Sequence, residues 1–146
     1  MEASAGRIVV GTDGSDASVD ALRWAARQAQ LTGATLEVVT TWHYPVSYGF
    51  PTIADVDWQQ GAKLTQEHAC TAAGLPDDLP LVSTVVEGHP AYELVGRSYG
   101  ADLLVVGSRG HGGFTGMLVG SVSGHVVAHA SCPVVVVRHH QEGEAD

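Results

Sequence analysis

The sequence predicts a doubly wound α/β domain, a mostly parallel five-stranded sheet with helices on both faces, and three observations predict it. Strand-like and helix-like patterns alternate five times along the 146 residues, the signature of βαβ units. The run DLLVV at 102–106 is continuously apolar after its first residue, which marks a strand covered on both faces. The first and fourth predicted strands both end in glycine-marked turns, Gly11-Thr12-Asp13-Gly14 and Gly107-Ser108-Arg109-Gly110. If those strands are central, the two turns meet where the winding reverses and form one cleft, the place where such sheets bind ligands.

Taken in order, residues 7–12 form a short buried strand built on Ile8-Val9-Val10. Asp13-Gly14-Ser15 is the turn, with Ser15 as N-cap of a helix over 16–31. In that helix Val19, Leu22, Ala25, Ala26 and Ala29 recur at helical spacing, giving one face for a sheet to cover. Thr32-Gly33 stops it, and the β-branched stretch ATLEVVTTW at 34–42 is the second strand. Residues 43–53, rich in Tyr, Pro and Gly, form a loop. A weaker helix is expected over 54–73, with Gly61 as a local blemish that costs up to about 1 kcal/mol against Ala. GLPDDLP at 74–80 is turn, LVSTVVE at 81–87 the third strand, and Gly88-His89-Pro90 opens a third helix that runs to Gly100. The fourth strand covers 102–106, a fourth helix 121–130, and the last strand 133–138 (PVVVVR), opening on Pro133 and closing on Arg138.

Between the fourth strand and fourth helix lies GSRGHGGFTGMLVGSVSG, which holds seven of the eighteen glycines. A strand, a glycine loop and a helix start make an anion site by construction. Residues without a Cβ let backbone N–H groups approach closely, and the helix N-terminus adds free donors and a positive dipole end. No GxxxxGK[ST] occurs and the only lysine is Lys63, so this is not a Walker loop; nor does it match GxGxxG. The pattern present is Gly107-x2-Gly110-x9-Gly120-Ser121.

Bulk composition narrows the class. With 45% hydrophobic and 16% charged residues, one compact domain over 7–138 is expected, with residues 1–6 as a lead and 139–146 as a polar acidic tail. The formal charge of −9, with seven Lys and Arg, argues against a nucleic-acid or anionic-membrane partner. Cys70 and Cys132 have no CxxC spacing and read as small buried hydrophobes. The start MEASAGR lacks a signal-peptide pattern, and no apolar run approaches the length of a membrane span, so a cytoplasmic location is expected.

Taken together, VVGTDGSDAS at 9–18, DLLVVGSRG at 102–110, the G-x2-G-x9-G-[ST] spacing and the closing Cys132-Pro133-Val-Val-Val-Val resemble the universal stress protein family over nearly the whole chain. The resemblance implies a Rossmann-like α/β fold with strand order 3-2-1-4-5. The complete glycine motif resembles the branch of the family that binds ATP, and the resemblance carries roles residue by residue. Gly11, Thr12 and Asp13 match the first-strand end that holds adenosine. Thr41 matches the position whose backbone contacts adenine. Val106, Gly107 and Gly110 match the ribose and phosphate turn, and Gly120, Ser121, Val122 and Ser123 the phosphate-binding helix start. Hydroxyls and amides at a helix N-terminus are good phosphate donors, which agrees with these roles.

Several residues keep two readings. Asp13 can hold a ribose hydroxyl, a base amine or Mg²⁺, or simply cap a helix. Arg109 can pair with outer phosphates or stand as an exposed loop arginine, and His111 lies in the same loop. His125 and His129 stand four apart, a metal-pair spacing, but no HExxH and no third ligand is evident, and no metal site is assigned. His139-His140 reads as solvated. After the second strand Trp42, His43 and Tyr44 offer a ring for a base to stack on, core packing being the alternative for Trp42. Without a GxSxG motif, a hydrolase triad has no support.

The leading expectation is therefore a stress-response protein that binds ATP, with Mg, as sensor or switch. Phosphoryl transfer needs a metal clamp and a positioned base; only Asp13 qualifies, so no catalytic residue is assigned and hydrolysis is slow at most. Alternatives are a binder of another adenine nucleotide such as cyclic AMP and a nucleotide-free dimeric interaction module. A phosphorylation-switched receiver is disfavoured, since the third strand ends Val86-Glu87-Gly88 and the fifth lacks lysine. The charge-free valine run at 134–137 would lie on a sheet edge, where pairing with a second copy buries it in a twofold homodimer.

Overall fold

The computed structural model describes residues 6–44, 56–108 and 120–139. Its elements are β1 (Arg7–Gly11), α1 (Asp16–Thr32), β2 (Thr35–Trp42), α2 (Trp58–Ala73), β3 (Leu81–Glu87), α3 (Pro90–Arg97), β4 (Leu103–Gly107), α4 (Ser121–His129) and β5 (Val134–Val137). The strands form one five-stranded sheet in the order β3-β2-β1-β4-β5, and every neighbouring pair is parallel. The expected order is thus found, with β1 and β4 side by side at the centre.

Period-two alternation along each strand feeds two cores. On one face Ile8, Val10, Leu36 and Val38 pack with Leu22, Ala25 and Ala29 of α1 and with Ala69 of α2. On the other, Val9, Val39, Leu104 and Val106 pack with Leu94 of α3 and Val126 of α4. Val9, Val10, Leu36, Val38, Leu104 and Val105 are all fully excluded from solvent, because helices cover the central strands on both faces.

The helix ends follow local chemistry. Ser15 caps α1, its Oγ accepting from the Ser18 amide at 3.3 Å, and Gly33 ends it in the left-handed region at φ 72°. Helix α2 starts at Trp58, later than the expected start at Ala54. Asp57 is extended and its Oδ1 accepts from the Gln60 amide at 3.0 Å; a carboxylate in that position outcompetes continuation of the helix towards the N-terminus. Helix α3 opens on Pro90 as expected, but stops at Arg97, short of Gly100. There the Ser98 hydroxyl turns back onto the Val95 carbonyl and accepts from the Ser131 amide at 2.8 Å. The strand ends shift by a residue: β1 stops at Gly11, β2 starts at Thr35, β4 runs on to Gly107 and β5 is trimmed to Val134–Val137.

One feature of the sheet has no counterpart in the sequence reading. Glu37, in the middle of β2, is 5% exposed. Arg7 reaches its Oε1 at 2.8 Å, while Arg97 and the Thr84 hydroxyl reach Oε2 at 2.9 and 2.8 Å. Arg7 also donates to the carbonyls of Arg97 and Tyr99. The buried carboxylate thus ties β1, β2, β3 and α3 together at the end of the sheet where β1 begins. Both cysteines are free thiols. Among the described residues no helix is long and apolar enough to cross a membrane.

Candidate functional site

At the opposite end of the sheet, where β1 and β4 terminate side by side, the structure opens a cavity of about 290 Å³. Its floor comes from the ends of β1 (Gly11, Thr12, Asp13) and β4 (Val106, Gly107), and one wall from the first turn of α4 with Gly120. The far wall is Val39, Thr41 and His43 of β2 and its exit, with Pro90 and Leu94 of α3. Ser15 and Ser18 complete it from α1. Gly11, Thr12, Asp13, Thr41, Val106, Gly107, Gly120, Ser121, Val122 and Ser123, named from sequence, all line this one space. Arg109, Gly110, His111 and His140 lie outside the described residues, as does most of the 43–53 loop.

Each wall is fixed by identifiable contacts. The Thr12 amide donates to the Val39 carbonyl at 3.0 Å, carrying the β1–β2 ladder one residue past the strand. Ser18 donates its hydroxyl to the Ser15 carbonyl at 2.9 Å, so in its 3.0 Å contact with Thr12 it must accept, and the Thr12 hydroxyl is the donor. The Asp13 carboxylate accepts from the Ser15 amide at 2.9 Å, an Asx turn just ahead of the helix; the cap itself is Ser15, and Asp13 keeps a place on the cavity lining.

The two ends of the glycine stretch are stapled together. The Gly120 amide donates to the Ser108 carbonyl, and the Ser108 amide to the Val137 carbonyl at 2.8 Å. The Ser123 hydroxyl donates to the Gly107 carbonyl. This leaves α4 starting beside β4 on Gly120, with no side chain capping it. The amides of Ser121, Val122 and Ser123 fall in the turn that the helix's own ladder never uses; all three residues line the cavity, where the helix start brings the positive end of its dipole.

Two glycines here are close-packed without a positive φ, Gly107 against backbone and Gly11 against a side chain that can shift. A Cβ on Gly107 would stand 2.8 Å from the Ala17 carbonyl oxygen and 3.1 Å from the Ser18 nitrogen, both backbone atoms. On Gly11 it would meet the Leu94 side chain at 2.8 Å. Gly107 thus lets the first turn of α1 lie directly on the end of β4.

The cavity is chemically two-ended. Around the α4 start it offers amides and hydroxyls; around Val39, Leu94 and Pro90 it is apolar. Sequence reasoning assigned no individual part in the site to Ser18, Val39, Pro90 or Leu94. Val39 was reachable, since it lies two residues before Thr41 and must share its face. Of Trp42, His43 and Tyr44, only His43 lines the cavity; Trp42 makes an edge contact with Tyr44, ring centres 5.4 Å apart.

Outside the cavity, His125 and His129 sit with ring centres 4.5 Å apart. Among the described residues no group of three or more His, Cys, Asp or Glu is placed to hold a metal ion. Burial pushes the thiols of Cys70 and Cys132 above their ordinary value; for Cys132 the nearby Arg7 pulls down and Asp102 pushes up by lesser amounts.

Comparison with known proteins gives a consistent result. Residues 5–138 match the family model described as the universal stress protein family. A universal stress protein of Mycobacterium tuberculosis (strain H37Rv) is 40% identical over 134 residues, which make up 90% of this chain and 45% of that protein. The chain thus spans less than half the length of this relative. Among solved structures, a universal stress protein in complex with cAMP is 31% identical, with a TM-score of 0.63 over 92% of this chain and 98% of the other. UspA from Lactobacillus plantarum is 26% identical, with a TM-score of 0.73 over 94% of this chain and all of its own.

Proposed function

This chain belongs to the universal stress protein family, and on that premise we propose that it binds an adenine nucleotide, ATP with Mg²⁺, in the cavity at the C-terminal ends of β1 and β4. The observation that carries the reading is the two-ended cavity. The uncapped first turn of α4 takes the phosphates on the amides of Ser121, Val122 and Ser123. The apolar wall of Val39, Leu94 and Pro90 takes the base, with the Thr41 backbone at its edge. Gly11, Thr12 and Asp13 hold the ribose between them, and Val106 and Gly107 form the turn beneath it. Asp13, already anchored by the Ser15 amide, offers a carboxylate to ribose or Mg²⁺; Arg109 and Gly110, outside the described residues, are assigned to the phosphates on the family resemblance alone. The relative solved with cAMP supports an adenine nucleotide as the ligand class and makes cyclic AMP the second candidate.

The protein holds the nucleotide more than it consumes it. Among the described residues the ionisable side chains on the cavity lining are Asp13 and His43, whereas efficient phosphoryl transfer needs a metal clamp, a positioned base and charge neutralisation together. It acts as a sensor or switch, and as a homodimer through β5. The carbonyls of Pro133 and Val137 face β4, so by alternation the amides of Val134 and Val136 face outwards. Those outward groups sit on a strand of four half-buried valines that a second copy can extend antiparallel.

Chromatography of nucleotides released from the purified protein tests the ligand, with calorimetry against ATP–Mg²⁺ and cyclic AMP. Gly120 has an extended backbone at φ −70°, so Gly120→Val adds bulk at the phosphate wall without forcing the chain into a left-handed conformation. Loss of binding in a variant with a native circular dichroism spectrum supports the assignment; Gly120→Ala serves if the larger side chain prevents folding. Unchanged affinity in a folded variant places the phosphates elsewhere, and no adenine nucleotide bound by the native chain defeats the reading.

A further inference from the structure

His125 and His129 lie one turn apart on α4, outside the cavity, and their rings face each other with centres 4.5 Å apart and planes inclined by 43°. His125 is half-buried, with Tyr92 of α3 edge-on behind it at 5.3 Å; Tyr92 in turn meets His89 at 5.5 Å. One imidazole is therefore held in place from the neighbouring helix, while His129 is exposed.

That separation is one at which a single metal ion can reach a nitrogen of each ring. An ion about 2.1 Å from one nitrogen of each ring stands roughly 3.2 Å from each ring centre, and two rings at a right angle about it are then about 4.6 Å apart. No hydrogen bond or ion pair to another described residue engages either ring. We propose that His125 and His129 form a two-imidazole chelate for a divalent first-row transition-metal ion on the outer face of α4. The right-angle bite suits the tetragonal preference of copper(II) and nickel(II), and affinity follows copper(II) over nickel(II) and zinc(II). Water fills the remaining positions, since no third described ligand joins the pair.

The site is tested by titrating the nucleotide-free protein with copper(II) chloride in a non-coordinating buffer. Calorimetry gives the affinity, and electron paramagnetic resonance counts equatorial nitrogens. His125→Asn and His129→Asn should each weaken binding at least about tenfold, the loss that removal of a mere outer-sphere partner brings. Each should also reduce two coordinated ring nitrogens to one. A His139→Asn/His140→Asn control should bind as the native chain does. Because His129 is exposed, its variant folds even if His125→Asn does not. Unchanged affinity in His129→Asn, or a loss confined to the tail control, overturns the proposal.

Discussion

Replacing Gly107 by alanine gives a sharp test of how the sheet carries its cavity. Gly107 has no positive φ, so its backbone accepts any residue, and alanine would gain about 0.4–1 kcal/mol by restricting the unfolded chain. Space decides otherwise. The new Cβ would lie 2.8 Å from the Ala17 oxygen and 2.9 Å from its carbonyl carbon, against about 3.5 Å for heavy atoms at rest. Either β4 or the first turn of α1 must move by about 0.6 Å. Neither is free to do so: Ser18 is bonded to Thr12 and Ser15, and Gly107 accepts from Ser123. Overpacking of this kind costs about 2 kcal/mol at mid-range; against a mid-range gain of about 0.7 kcal/mol this leaves a net loss of about 1.3 kcal/mol and a fall in Tm of about 4 °C for a chain of this size. Gly61→Ala is the internal control, because a Cβ there has nothing within 4 Å. It sits inside α2 and should gain about 0.5–1 kcal/mol. Calorimetric melting of both nucleotide-free variants reads the two signs directly. If Gly107→Ala is neutral or stabilising while Gly61→Ala delivers its gain, the close approach of α1 to β4 is wrong.

Glu37→Ala leaves Arg7 and Arg97 facing a site without its carboxylate. Breaking a fully buried pair costs about 3–5 kcal/mol; with the guanidinium side chains 34% and 29% exposed, water can partly replace the carboxylate and roughly 2–3 kcal/mol is expected. Urea denaturation measures it, and a loss below about 0.5 kcal/mol, the scale of an ordinary surface change, would refute the clamp. Val136→Pro removes an outward amide while sparing the β4–β5 ladder, as edge-strand proline can; sedimentation should show monomers, and a persisting dimer would place the interface elsewhere. Because burial raises both cysteine pKa values above the ordinary 9.0, the folded thiols hold their protons longer than unfolded ones. Their contribution to stability is present below about pH 9 and lost as pH rises through the folded values. Thiol labelling at pH 8 should be slower than for free cysteine and accelerate on unfolding; faster labelling of the folded protein contradicts their burial.

The sequence alone determined the elements and their ends wherever one segment's own chemistry decides. Apolar runs marked β1 and β4 and a β-branched stretch marked β2, Ser15 and Gly33 bracketed α1, Pro90 opened α3, and the spacing of Gly107, Gly110, Gly120 and Ser121 marked the glycine motif between β4 and α4. Local signals failed where two of them competed, as when the Asp57 carboxylate took the helix start from Ala54. Tertiary structure decided what depends on the distance between segments remote in the chain. It turned the Thr12 and Ser123 hydroxyls onto Ser18 and Gly107, brought Leu94 and Val39 to the cavity wall, and set Glu37 between arginines 30 and 60 residues away. It also set Tyr92 behind His125. Periodicity records which face of an element avoids water, because that preference is summed along the element itself. It carries no record of how closely two backbones approach, which is why Gly107 was visible as a glycine while the carbonyl of Ala17 that requires it was not.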